Sequence, residues 1–285
     1  MTELNIKNLT YSIGDKLILN NLSFSCSAGD IVAVVGKNGV GKTTLLNNIL
    51  EKLNTTENIK LIGEEARLGY VPQFRQIDEE LPLSVEDFVA LPLHKKILPW
   101  LSSKEKKQID IALETTNSLT KKEKSIGHLS GGEKQKIAFA SVYAMNPDIY
   151  VLDEPSSNLD SESITALQSY IRNIKAQGKT VIVAEHRLYY LADLADKIVY
   201  MENGCITRIF TPVECKSLSA AARHEMGLRA IHLQEEIPSS LHNEAMDIRS
   251  ETPCRMSGVA SVQTTQDTAQ SPQPPVQPAL AVPLT

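Results

Sequence analysis

Eight residues, Gly36-Lys37-Asn38-Gly39-Val40-Gly41-Lys42-Thr43, leave this chain few folds to choose from. They fit the pattern GxxxxGK[ST], which needs a strand before it and a helix after it. The β-branched run Ile31 to Val35 supplies the strand, and Leu46, Ile49, Leu50 and Leu53 supply the apolar stripe of a helix packed on a sheet. In that setting Gly36, Gly39 and Gly41, with Asn38 between them, let successive backbone amides turn inward around phosphate oxygens. The helix beginning near Lys42 aims its positive end at the same anion. Lys42 adds a point charge, Thr43 offers a hydroxyl to Mg²⁺, and Thr44 follows on the same turn. The competing reading is a chance match in a glycine-rich turn.

Further short apolar runs at Ile149 to Leu152, Val181 to Ala184 and Ile198 to Met201 alternate with helical periodicity, which predicts an α/β fold with a largely parallel sheet. The opening differs: Leu4, Ile6 and Leu9, then Leu17 and Leu19, then Leu22, Phe24 and Cys26 predict half-buried strands in a small antiparallel layer. Residues of about 74–128 read as a helical insertion, residues 216–236 as a short helical extension, and residues 1–215 as one catalytic domain. The last residues, about 237–285, are rich in Pro, Gln, Ser and Thr and lack the apolar surface to offset ordering, so they are expected to be disordered. The formal charge of -5 argues against a nucleic-acid surface, which needs clustered Lys and Arg. Cys26, Cys205, Cys215 and Cys254 form no CxxC pair and read as reduced thiols. Neither a secretory leader nor an apolar run of membrane-spanning length is present, which predicts a cytosolic chain.

Two more patterns carry chemistry. The buried-type run Ile149 to Leu152 ends in Asp153 and Glu154, which puts two acids at the edge where open α/β sheets bind ligands. Asp153 is expected to hold Mg²⁺, directly or through water, and Glu154 to orient and deprotonate an attacking water. A helix-capping role is the alternative for such a pair. Leu129-Ser130-Gly131-Gly132-Glu133 has the S-x-x-E spacing of a capping box, and its two glycines expose amides at a helix start.

LSGGE followed by Lys134-Gln135, with the phosphate loop upstream and the Asp-Glu strand downstream, resembles the ATP-binding cassette ATPases over roughly residues 1 to 210. The resemblance implies a P-loop NTPase of that type that binds and hydrolyses Mg·ATP. It also implies a head-to-tail dimer, homomeric or mixed, in which Ser130, Gly131 and Gly132 cap the γ-phosphate held by the opposite subunit. Tyr11 resembles the aromatic that stacks on adenine, and its alternative is an edge-strand tyrosine. Gln73 resembles the glutamine that contacts Mg²⁺ and the attacking water. Ser157 to Asp160 resembles the loop crossing the dimer interface, although Asp160 also suits a helix cap. His186 resembles the switch histidine at the γ-phosphate.

Ala184 to Leu191, then Ala195 to Met201 and Gly204, are similar to the ATPases of energy-coupling-factor transporters, and the chain looks like the first half of a two-cassette member. That likeness implies a peripheral protein on the cytoplasmic face of the membrane, under an integral-membrane coupling subunit, driving uptake of a vitamin or transition-metal ion. A soluble cassette acting on DNA or ribosomes is the alternative. The partner's grip is expected near Gln73 to Pro92, through Phe74, Leu81, Leu83, Val85, Phe88 and Leu91, with burial in the insertion's own core as the competing reading.

Overall fold

The computed structural model describes residues 3–226, apart from 54, 63–65, 74–81, 94–100, 158, 187 and 189. Its elements run β1 (Glu3–Ile13), β2 (Lys16–Ser27), β3 (Ile31–Val35), α1 (Lys42–Lys52), β4 (Ile59–Ile62), β5 (Leu68–Val71), α2 (Val85–Ala90), α3 (Ser103–Thr115) and α4 (Gly131–Ala144). There follow β6 (Ile149–Asp153), α5 (Ser161–Ala176), β7 (Thr180–Glu185), β8 (Lys197–Glu202), β9 (Cys205–Phe210), α6 (Pro212–Ser217) and α7 (Ala220–Glu225). Single 3-10 turns lie at Leu91–Leu93, Leu119–Lys121 and Ile126–His128.

The main sheet has the order β5-β6-β7-β3-β8-β9. Its first five strands are parallel and β9 is antiparallel to β8. Every residue of β3, β6 and β7 is buried, which explains why these segments read as unbroken apolar runs rather than alternating ones. Alternate residues of β3 face opposite sides. Ile31, Ala33 and Val35 share a core with Phe139 on α4 and Ile171 on α5. Val32 and Val34 share one with Leu45 and Ile49 on α1 and with Leu4 and Leu19 of a second sheet.

That second sheet is antiparallel, with the order β2-β1-β4. The expected period-two pattern changes phase between Leu19 and Leu22, both fully buried, and the cause lies in two of the three register shifts in the β1–β2 ladder, those on either side of Leu9. Asn8 and Asn21 adopt positive φ there, 50° and 53°, and each shifts its strand by a residue so that both phases reach the core. Leu17 departs from the expectation: near the hairpin end it is 43% exposed.

The insertion has its own core of Val85, Phe88 and Val89 on α2 and Ile109 and Leu113 on α3, and it takes in Ile137 and Ala140 of α4. Because α4 also sends Phe139 and Val142 into the sheet's core, it is apolar on two sides and fastens the insertion to the domain. This burial corrects part of the expected grip: Val85 and Phe88 are core residues, whereas Leu91 is 38% exposed. Phe74 and Leu81 lie outside the described residues, as do the tail of 237–285, Cys254 and residues 227–236 of the extension. Among the described residues, Cys26, Cys205 and Cys215 are not in disulfides, and no helix is long and apolar enough to cross a membrane.

Candidate active site

Strands β3, β6 and β7 end level with one another: Val35 pairs with Glu185, and Asp153 with Ala184. The loop after β3 can turn back on itself because two of its glycines meet what no other residue could. Gly36 has φ 152°, and a Cβ there would lie 2.3 Å from the Met201 carbonyl oxygen; Gly41 has φ 102°, and its Cβ would lie 2.8 Å from Leu19 Cδ2. Gly39 and Asn38 are exposed at the loop's crest. Gly41 is the N-cap of α1 and offers no side-chain cap, and the first turn holds no acid. The amides of that turn therefore suit an external anion.

Lys42 is 5% exposed and donates from Nζ to the carbonyl oxygens of Gly36 (2.9 Å) and Lys37 (3.1 Å), closing the loop on itself. Burial lowers its pKa, and the nearby carboxylates of Glu154, Asp153 and Glu185 oppose that shift. Thr43 Oγ1 donates to Asp153 Oδ1 at 3.2 Å. Asp153 is 1% exposed, and burial pushes its pKa up, while the hydroxyls of Thr43 and Tyr70 and the charge of Lys42 act against the rise. Thr44 is half-buried one position on, and its carbonyl accepts Asn48 Nδ2 at 2.8 Å.

Glu154 leaves the strand with φ 45°, in the left-handed region that a non-glycine residue adopts only under constraint. Its N–H is held by the Ala184 carbonyl at 2.9 Å, and its Oε2 accepts Gln73 Nε2 at 2.5 Å. Gln73 follows β5 and so connects the neighbouring strand's end to the acid. His186, just past β7, lies with Nδ1 3.6 Å from Glu185 Oε2. The expected loop lysine, threonine, both acids and the glutamine thus gather at one sheet edge, with two hydrogen-bonded pairs, Thr43–Asp153 and Gln73–Glu154, and with His186 at the end of β7.

The others lie apart. Ser130 caps α4: its hydroxyl accepts the Glu133 N–H at 3.4 Å, while Glu133 Oε2 accepts the Ser130 N–H at 2.9 Å. Gly131 is exposed and a Cβ there would meet nothing within 4 Å, and one on Gly132 would meet only Leu159 Cδ2 at 3.7 Å. Asp160 caps α5 by accepting the Ser163 N–H at 2.8 Å, and that bond holds its pKa below the ordinary value. Tyr11, on β1, is half-buried against the antiparallel layer's core with Lys52 Nζ 4.5 Å from its ring centroid.

Two participants escaped the sequence reading. Glu185 is completely buried and accepts hydrogen bonds from the Ser156 N–H (3.0 Å), the His186 N–H (2.9 Å) and the Tyr190 hydroxyl (3.0 Å). It ties the segment after the two acids to the histidine. The available signal was an acid closing an otherwise apolar strand run. Tyr70, on β5 three residues before Gln73, is the other: burial followed by the charge of the Asp153 carboxylate raises its pKa.

Among the described residues no cluster of three His, Cys, Asp or Glu side chains could hold a metal alone. Mg²⁺ does not require one, since it keeps several waters and binds through one or two protein oxygens plus substrate phosphates. A threonine hydroxyl and a buried carboxylate 3.2 Å apart, both hard oxygen donors, fit that habit.

A family model described as ABC transporter matches residues 19–157. An ABC transporter ATP-binding protein of Treponema denticola is 36% identical over 250 residues, which is 81% of this chain and 50% of that one. The chain spans about half the length of the Treponema denticola relatives it matches. The zinc import ATP-binding protein of Marinobacter nauticus is 31% identical over 195 residues, 68% of this chain and 72% of that one. Among solved structures, cbiO1 of Clostridium perfringens, described as part of the ABC transporter complex cbiONQ, matches with a TM-score of 0.62 at 26% identity over 79% of this chain and 94% of that one.

Proposed function

Because this chain belongs to the ABC transporter family of ATP-binding proteins, we propose that it hydrolyses Mg·ATP at the carboxyl edge of its six-stranded sheet and thereby drives an importer. The observation that carries the reading is the two hydrogen-bonded pairs Thr43–Asp153 and Gln73–Glu154 at one sheet edge, with a buried lysine on the phosphate loop.

In this reading the loop amides and Lys42 bind the phosphates, with Lys42 exchanging its two carbonyl partners for phosphate oxygens. Thr43 and Asp153 would hold Mg²⁺, which supplies charge neutralisation on the phosphates when bound. Asp153 is ionised in that role, and the cation offsets the burial that raises its pKa. Glu154 accepts a proton from the attacking water, and Gln73, already on the same carboxylate, orients that water. His186 contacts the terminal phosphate, and Tyr11 stacks on adenine.

The two glycines after Ser130 support a second molecule's involvement. Gly131 and Gly132 adopt no positive φ, and an added Cβ would meet nothing closer than 3.7 Å, so the chain's own fold gives no reason for either glycine. A close approach from outside does, and we read that visitor as the nucleotide of a second ABC ATPase subunit, the same chain or a related one, bound head to tail. Closing on two nucleotides moves the insertions together and hydrolysis lets them part. A membrane coupling subunit gripping the insertion on the cytoplasmic face converts that motion into transport. The similarity to a zinc import protein supports a transition-metal ion as cargo within the energy-coupling-factor class, with a vitamin as the other member of that class.

Replacing Glu154 with Gln tests the chemistry. Nucleotide affinity should hold while steady-state hydrolysis falls by about 10² to 10⁴, the range for a lost general base; wild-type turnover would remove Glu154 from that role.

A further inference from the structure

Ser130 sits beside a negative charge. The carboxylate of Glu133 accepts the Ser130 N–H at 2.9 Å through Oε2, so it stands one hydrogen bond from the serine proposed to meet a partner-bound γ-phosphate. A bare carboxylate there would oppose every approach of a polyanion. It is not bare: Lys121 Nζ lies 2.6 Å from its other oxygen, Oε1. Neither side chain is freely solvated, at 26% exposure for Lys121 and 32% for Glu133, so the pair is less screened than an open surface pair.

The position of Lys121 separates this role from simple fastening. It ends the 3-10 turn Leu119–Lys121, and the next residue, Lys122, already ties that turn to Glu86 on α2 (3.1 Å) and Asp110 on α3 (2.8 Å). Lys121 instead reaches out of the insertion to the first turn of α4. A glutamine would complete the same capping box without a charge. The chain carries an acid at that point together with a cation to cancel it.

We propose that Lys121 is a positioning residue for the composite nucleotide site, neutralising Glu133 so that the tip of α4 can close on the partner's terminal phosphate, and holding that carboxylate on the Ser130 backbone. The depressed pKa of Glu133, about 2 with Lys121 as the first cause, agrees with an ion pair that stays formed at neutral pH. The inference rests on the head-to-tail reading above.

The test is ATP-driven pairing of the full chain, measured by sedimentation in a Glu154→Gln background that slows turnover. Lys121→Met should weaken pairing about three- to tenfold at low salt, a Coulomb effect of one charge near a polyanion. The loss should shrink in 1 M salt, where the screening length falls to about 3 Å. It should also vanish when Glu133→Gln is added, because no charge is then left to cancel. Pairing unaffected by Lys121→Met overturns the inference, as does a loss that ignores salt or persists beside Glu133→Gln, either of which marks a packing contact. A parent chain that stays monomeric with ATP removes the head-to-tail reading and this inference with it; a parent that pairs while Lys121→Met pairs equally well removes this inference alone.

Discussion

At the scale of single residues, the site depends on positions where alternatives are sterically closed. Gly36 is the sharpest case, with a backbone conformation that side chains rarely adopt and a carbonyl oxygen where a Cβ would go. Gly36→Ala should cost about 1–3 kcal/mol from the backbone alone and should abolish measurable nucleotide binding through displacement of the loop. Urea unfolding and titration with a fluorescent ATP analogue would check the two effects, and a variant that binds normally would mean that the loop tolerates a different path. Lys42, Thr43 and Asp153 could be read in the sequence because spacing after a strand fixes where they project. Glu185 could not: an acid at the end of TVIVAE looks like the place where a strand meets solvent. Its complete burial is accompanied by donors that include Ser156, His186 and Tyr190, none of which local sequence identifies.

At the scale of elements, the strands inside the main sheet are legible through burial on both faces, and β1 and β2 through their period-two pattern. β3, β6, β7 and β8 are covered above and below, so each was visible as an apolar run. β4, β5 and β9 lie at sheet edges and were missed. β5 contains Gly69, where a Cβ would lie 2.5 Å from Val142 and 2.7 Å from Pro147, so close packing against the residues around α4's end replaced the usual β-branched signal. Helix α4 was legible through its capping box, and that box gives a pH prediction. The folded-state pKa of Glu133 is about 2 against an ordinary 4.5, first because of Lys121 and then because of the Ser130 N–H. A carboxyl depressed on folding adds stability that is complete above its unfolded value and fades as pH falls toward its folded one. The gap in melting midpoint between wild type and Glu133→Gln should hold near neutrality and shrink steadily from about pH 5 to about pH 3. A gap that does not change over that range would assign the stabilisation to the neutral cap geometry.

For the molecule as a whole, the sequence pointed to two groups of residues and the structure keeps them on separate elements: the phosphate loop and acids at one sheet edge, the serine and glycines at the start of α4. If each nucleotide needs one group from each subunit, two crippled chains can help each other. Ser130→Arg alone and Lys42→Ala alone should each hydrolyse ATP poorly. Their mixture should recover activity, because the pairing that unites the intact Lys42 of one with the intact Ser130 of the other restores one complete site. No recovery at concentrations where mixed pairs form would count against the arrangement.

The strand order has a last consequence. Since β7 lies between β3 and β6, the main-chain ends of β3 and β6, from which the phosphate loop and the acidic pair depart, stand two interstrand spacings apart, about 10 Å. That gauge is cut by main-chain hydrogen bonds, so no exchange of side chains resets it. Natural variation or engineering can therefore alter what fills the gap, through Glu185 and His186, while its width stays that of the sheet itself.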